Sequence, residues 1–260
     1  MSKPKNYEKM IENKPLFRAR KMSLSLVGAD TIFPKPAGVN LDCLILLSKA
    51  NSKKVEKAIK KDFLYVNFVK TVCDDIMAKN GGKFPDYDKR SIFKLVKIID
   101  YENSTDVWIH CRKSFIKMVK YIANPKKDFW NELKRPNKML VDDLTRFSKE
   151  AVTRKNKGSI KIVDAEFGSL ASKICKYFAQ YIFKKDFYYI NDKFIRRVLP
   201  YYYWFYLGEK ISTTNITYEK LYDYLEDIRK EVSKTSKLTR NEIDHIMWYC
   251  YKSSSGLYRL

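Results

Sequence analysis

Two residues, Lys173 and Asp192, could give this chain covalent chemistry. The lysine lies in FGSLASKICKYFAQYIFKKDFYYIND, residues 167–192. At about 100° per residue, Leu170, Ile174, Tyr177, Phe178 and Tyr181 fall within an arc of about 100°, and Lys173 sits beside its edge, about 60° from Leu170. A lysine beside such a wall has two fates. Its stem can pack while the ammonium reaches water, or the amine can be desolvated, its pKa falling until the neutral form becomes a nucleophile. Asp192 opens DKFIRRVL, where Phe194, Ile195, Val198 and Leu199 form a helical stripe. Its plain structural role is a helix N-cap. Its chemical one is a carboxylate that can offset positive charge developing beside it.

The elements that must position the pair are a helix carrying Lys173, a loop, and a helix begun by Asp192. Upstream, apolar residues recur at helical spacing from residue 41, with breaks at NGGKFPDYD and DYENSTD. Further helices are expected over VWIHCRKSFIKMVKYIA, ending before Pro125, and over KMLVDDLTRFSKEAV, after which the basic segment TRKNKGSIK interrupts the pattern. Near the C-terminus, Thr239 and Glu242 have capping-box spacing ahead of Ile243, Ile246, Met247 and Cys250. With 45% hydrophobic residues and only 8 Gly and 8 Pro in 260 residues, the expected fold class is all-α. The expected organisation is an N-terminal arm over residues 1–40, a helical lobe over 41–150, and a lobe over 151–260 holding the lysine, the aspartate and a C-terminal helix.

Charge sets the partner. Lys and Arg number 52 against 30 Asp and Glu, a formal net charge of +22. An imbalance of that size favours a polyanion, nucleic acid before an anionic membrane surface; solvated surface lysines are the plainer alternative. The five cysteines, Cys43, Cys73, Cys111, Cys175 and Cys250, contain no C-x-x-C pair, and His110 and His245 stand alone. They read as free thiols in a reducing cytoplasm, with no metal and no cofactor. The first thirty residues lack an uninterrupted apolar stretch and the run Cys43–Leu47 is too short to span a bilayer, so a soluble cytoplasmic protein is expected.

The order of lysine-bearing helix, loop, aspartate and helix resembles the helix-hairpin-helix DNA glycosylase superfamily, in particular the branch similar to 8-oxoguanine DNA glycosylase. The pieces are Ser169, Ala171, Ser172 and Lys173, then Tyr188 and Asp192, then Asp244 and Trp248. The family hairpin reads L-P-G-V-G-x-K; here Ser169 and Ala171 stand where it has glycines. The resemblance covers roughly residues 150–260 and implies a two-lobed helical fold with a helix-hairpin-helix element, acting on duplex DNA with a flipped base. It implies Lys173 as the nucleophile at the sugar C1′, with AP lyase capability, and Asp192 as its electrostatic partner. Ser169, Ala171, Ser172, Lys176, Lys193, Arg196 and Arg197 would meet the DNA, and Phe167 and Trp248 the base. PYYYWFY, residues 200–206, is assigned to packing. The implied substrate is an oxidised purine; a hypermodified base of phage DNA, removed in antiviral defence by a monomeric enzyme, is the other candidate. A non-catalytic helical DNA- or RNA-binding protein is the competing function.

Overall fold

Side chains that satisfy the first N–H groups of a helix mark where most of the helices begin. The computed structural model describes residues 31–32, 44–62, 68–103, 105, 107–156, 159–165 and 167–254. The expected arm over 1–40 and Cys43 lie outside these, apart from Thr31–Ile32 (β1), which pairs antiparallel with Leu44–Ile45 (β2). Ser48 Oγ accepts the Asn51 N–H at the start of α1, Lys49–Asp62. Helix α2 is Phe68–Lys79, and Glu102 from the next helix accepts its Phe68 and Val69 N–H groups. Asp88 caps α3, Lys89–Glu102. The stretch after it, expected as one helix, divides at Cys111 into α4, Val107–His110, and α5, Arg112–Ile122. The Asp100 carboxylate accepts the Val107 and Trp108 N–H groups and starts α4, and Cys111, at φ −142° and ψ 56°, leaves helical geometry and divides it from α5. Helices α6, Phe129–Leu133, and α7, Met139–Ser148, complete this group.

The chain then forms an antiparallel hairpin, β3, Glu150–Asn156, with β4, Ser159–Ala165, in the register Glu150 to Ala165. Four helices follow, α8, Gly168–Ile182, α9, Lys193–Leu207, α10, Tyr218–Ser233, and α11, Arg240–Ser254. The fold is mostly helical, as the composition indicates.

The expected helix-hairpin-helix element is not shown. The helix before Lys173 connects to the lysine's own helix through the β-hairpin rather than a tight glycine turn. Ser169 and Ala171, at the positions of the family's turn glycines, lie inside the first turn of α8, where the Ala171 N–H bonds the Phe167 carbonyl. Residues carrying a Cβ resist the left-handed backbone that such a turn demands, and both are compatible with helix.

One apolar core runs through these helices. Helix α8 lies within it, packed against α2, α3, α6 and α7. Trp130 stacks on Phe178 of α8 at 5.5 Å between ring centres, with Phe84 and Phe129 around them. The second group is built on α9, which packs against α10 and α11, while α1 packs against α11. Helix α1 therefore joins the C-terminal helices, and the packing does not follow the sequence boundary at residue 150. Tyr201, Tyr202 and Tyr203 are buried as expected of PYYYWFY, but Trp204 and Phe205 are exposed. Cys73, Cys175 and Cys250 are buried thiols outside any disulfide. Among the described residues no helix is long and apolar enough to cross a membrane.

Candidate active site where helices α8 and α9 begin

Lys173 is one turn into α8 and only 5% exposed, so it does not snorkel. Its Nζ donates to Ser169 Oγ at 3.2 Å. Burial holds its pKa below the usual lysine value, opposed by the charge of Asp192 and then that of Asp100. A desolvated amine tends toward its neutral, nucleophilic form. The Asp100 carboxylate is occupied in starting α4, which leaves Asp192 as the chemically relevant partner.

Asp192 is an N-cap, as its place in the sequence allowed. Its Oδ1 accepts both the Phe194 and the Ile195 N–H, each at 2.9 Å. One oxygen thus serves both capping bonds, and Oδ2 is not needed for the cap.

The segment ahead of Asp192 is extended, and three successive backbone N–H groups fix it to three different helices. Tyr189 N–H donates to Tyr218 Oη of α10 at 3.0 Å. Ile190 N–H donates to Asp244 Oδ2 of α11 at 2.9 Å. Asn191 N–H donates to Ser172 Oγ of α8 at 2.9 Å, and that hydroxyl donates onward to the Ser169 carbonyl at 3.0 Å. Ser172 therefore sets the distance between the lysine's helix and the aspartate. It is fully buried, and its role is this bridge rather than the expected DNA contact.

Two further expected DNA contacts are corrected. Lys176 is buried with its ammonium paired to Asp244, each side chain 2% exposed, so it cannot meet a phosphate. The pair exists because both groups are inside; burial pushes the Asp244 carboxyl up to about 6 while Lys176 pulls it down. Ala171 is fully buried in the core.

Ser169, Lys193, Arg196 and Arg197 do come together, along one cleft of about 1680 Å3 bounded by α7, the starts of α8 and α9, and the loop before α10. That loop had no place among the expected site residues. It brings Lys210, α7 brings Arg146, and Lys149 follows at that helix's end. Six cationic side chains, Arg146, Lys149, Lys193, Arg196, Arg197 and Lys210, line the cleft against two carboxylates, Asp142 and Glu219. The carboxylates are engaged: Asp142 accepts the Tyr218 and Glu219 N–H groups at 3.0 and 3.1 Å, and Glu219 pairs with Lys138 at 3.2 Å. Arg146 is likewise paired, with Asp143 at 3.3 Å, and the remaining surplus of cations favours an anion. The cleft exceeds the roughly 300–1,000 Å3 of a small-molecule pocket, as a polymeric ligand would require.

Lys173 and Asp192 do not themselves line the cleft. They lie behind Ser169, Asn191 and Lys193, which do. Phe167 and Trp248 are half-buried against the core and are also absent from its wall, so the structure does not bring them to the place expected of base-pocket residues. Comparison with protein-family models, with curated proteins and with solved structures gives no match, and the site is read from its geometry and chemistry alone.

Proposed function

We propose that the chain is a DNA N-glycosylase that draws a damaged or modified base out of the stack and excises it with Lys173 and Asp192. The observation that carries the reading is the desolvated Lys173 amine, acted on by the Asp192 charge and hydrogen-bonded to a serine on the wall of a cationic cleft. As the bond from C1′ to the base breaks, positive charge builds on the sugar and the Asp192 carboxylate offsets it. The Nζ lone pair forms the new bond to C1′, and the base leaves with the electrons of the old one and takes a proton from water. Loss of the amine proton with opening of the sugar ring gives a Schiff base, from which strand cleavage proceeds. Ser169 stands between the amine and the cleft, so a change of its rotamer is the step that exposes Nζ. The cleft's cations hold the phosphates that flank the extruded nucleotide. The working unit is taken to be a single chain inside the cell.

Borohydride trapping tests this on duplexes with oxidised, deaminated or alkylated bases and on phage DNA with modified cytosines. A covalent adduct with the wild type, absent from Lys173→Ala, is expected. Alkali-labile abasic sites without an adduct would mean that water, not Lys173, is the nucleophile. A second reading, a non-catalytic nucleic-acid-binding protein, is favoured by the position of Lys173 and Asp192 behind the cleft wall. Salt-sensitive binding with neither adduct nor abasic product would establish it.

A further inference from the structure

Three aromatic side chains line the cationic cleft, Tyr201, Trp204 and Tyr218, and the exposed one, Trp204, has no task in the excision chemistry. Trp204 lines it with 39% of its surface exposed. Trp130, by contrast, is stacked inside the core, and Trp108 is enclosed by Phe93 and Phe115 with the Arg112 guanidinium 4.5 Å from its ring centre. Trp204 makes no ring or cation–π contact among the described residues. Exposing an indole costs hydrophobic free energy, so a large open aromatic in a binding cleft is a feature to be explained.

Its place on α9 limits what it can touch. Arg197, Tyr201 and Trp204 follow at i, i+4 and i+7 and share one face of the helix. All three line the cleft, cation first and aromatics after. At about 1.5 Å per residue, Trp204 is about 18 Å along the helix axis from Asp192. It is therefore out of reach of a base held at Lys173 and Asp192. Met139, also exposed, lines the same cleft from α7.

A flat aromatic face beside cations suits a nucleobase whose own stacking neighbour has been removed, with its phosphates on the arginines. In an intact duplex the bases are stacked on each other and offer no face. We propose that α9 is a track for an unpaired DNA strand, with Trp204 as the stacking platform for a base several nucleotides away from the one excised. The protein would then prefer single-stranded, bubble or frayed DNA to intact duplex. This rests on reading the cleft as a nucleic-acid site and is independent of excision.

The test is equilibrium binding by fluorescence anisotropy of labelled oligothymidylate, a bubble and a matched duplex to the full chain, with intrinsic tryptophan emission read in parallel. Wild type is expected to bind the single strand and the bubble more tightly than the duplex, with quenching of tryptophan emission. Trp204→Ala is expected to weaken single-strand binding about tenfold and leave duplex binding within about twofold. Trp204→Phe keeps a stacking ring, so affinity is expected to be retained while most of the quenching is lost. Equal losses on single strand and duplex, or no loss on either, would overturn the proposal while leaving the cleft a nucleic-acid site. Absence of binding to any of the three DNAs would overturn the nucleic-acid reading itself. Thermal melts of both variants should match wild type, because Trp204 is outside the core.

Discussion

Replacing Lys176 by methionine separates a structural ion pair from a DNA contact, because the two roles move different observables. Lys176 and Asp244 are each 2% exposed, and the carboxylate also accepts the Ile190 N–H that helps fix the segment ahead of Asp192. Removing one member of such a pair leaves the other charge buried and uncompensated, which costs about 3–5 kcal/mol. With Lys176 present, burial already raises the Asp244 carboxyl from 3.8 to about 6, a cost that wild type itself bears. Without Lys176 the folded-state pKa rises further. A carboxyl whose folded pKa exceeds its unfolded value destabilises above the unfolded pKa; wild type and variant share that decline up to about pH 6, so the variant's extra loss opens above pH 6 and grows until pH passes its own, higher folded pKa.

The expected result for Lys176→Met in urea titrations is therefore a loss of about 3–5 kcal/mol at pH 8 and a much smaller one at pH 5. Lys176→Met/Asp244→Asn should recover most of the pH 8 loss, since the amide carbonyl can still accept the Ile190 N–H. DNA affinity measured where the variant is folded should keep its salt slope. Unchanged stability with a salt slope reduced by about one would refute the reasoning and return Lys176 to the phosphates.

Asp192 offers a comparable separation of roles. Asn is as good an N-cap as Asp, so Asp192→Asn should leave stability within about 0.5 kcal/mol while abolishing excision, whereas Asp192→Ala should lose about 1 kcal/mol as well; urea midpoints beside product assays decide. Lys173→Met removes a desolvated amine and keeps the packed stem, so stability should hold or rise by about 1 kcal/mol while trapping disappears. Burial, with the Lys176 charge, holds His245 down at about 4 against a usual 6.5. A base with a lowered folded pKa loses stability as pH falls from its unfolded value. Wild type relative to His245→Gln should therefore lose up to about 3 kcal/mol between pH 7 and pH 4, read from urea midpoints.

The helices were legible because their signals are local. Thr239 and Glu242 form the reciprocal capping box that their spacing indicates, with Thr239 N–H to Glu242 Oε2 at 2.7 Å and Glu242 N–H to Thr239 Oγ1 at 3.2 Å. Breaks near residues 80–88 and 103 fall where Gly, Pro, Asp and Asn cluster. The β-hairpin was legible only in part: Ile160 and Ile162 alternate with Ser159 and Lys161, a period-two signal masked by the density of lysine. Lys176 shows what was not legible at all. On the helix wheel it is one more basic residue near the expected site, and its burial depends on Asp244, 68 positions away. Trp204 had a signal, the i, i+4, i+7 series with Arg197 and Tyr201, but nothing local tells an outward face of α9 from the inward face that buries Tyr202.

The two roles weighed for Asp192 are compatible, and the structure gives the physical reason. A carboxylate that stabilises a transient positive charge must already be oriented when the charge appears. The cap fixes it through Oδ1, and the hydrogen bonds at Tyr189, Ile190 and Asn191 fix the backbone that carries it. Lys173 is fixed to the same frame through Ser169 and Ser172, since the Ser172 hydroxyl joins the Asn191 N–H to the Ser169 carbonyl. Breaking that hydroxyl bridge should therefore affect the relation between the pair more than the fold. Ser172→Ala leaves one buried N–H unpaired, a loss of about 1–3 kcal/mol, and it removes the link between the nucleophile's helix and the aspartate. Trapping rates should fall at least tenfold under conditions where the variant remains folded, and Ser172→Thr, which restores the hydroxyl, should recover part of the rate if the added methyl is accommodated. A variant that loses stability but traps at the wild-type rate would show that the lysine and the aspartate do not depend on that bridge for their alignment.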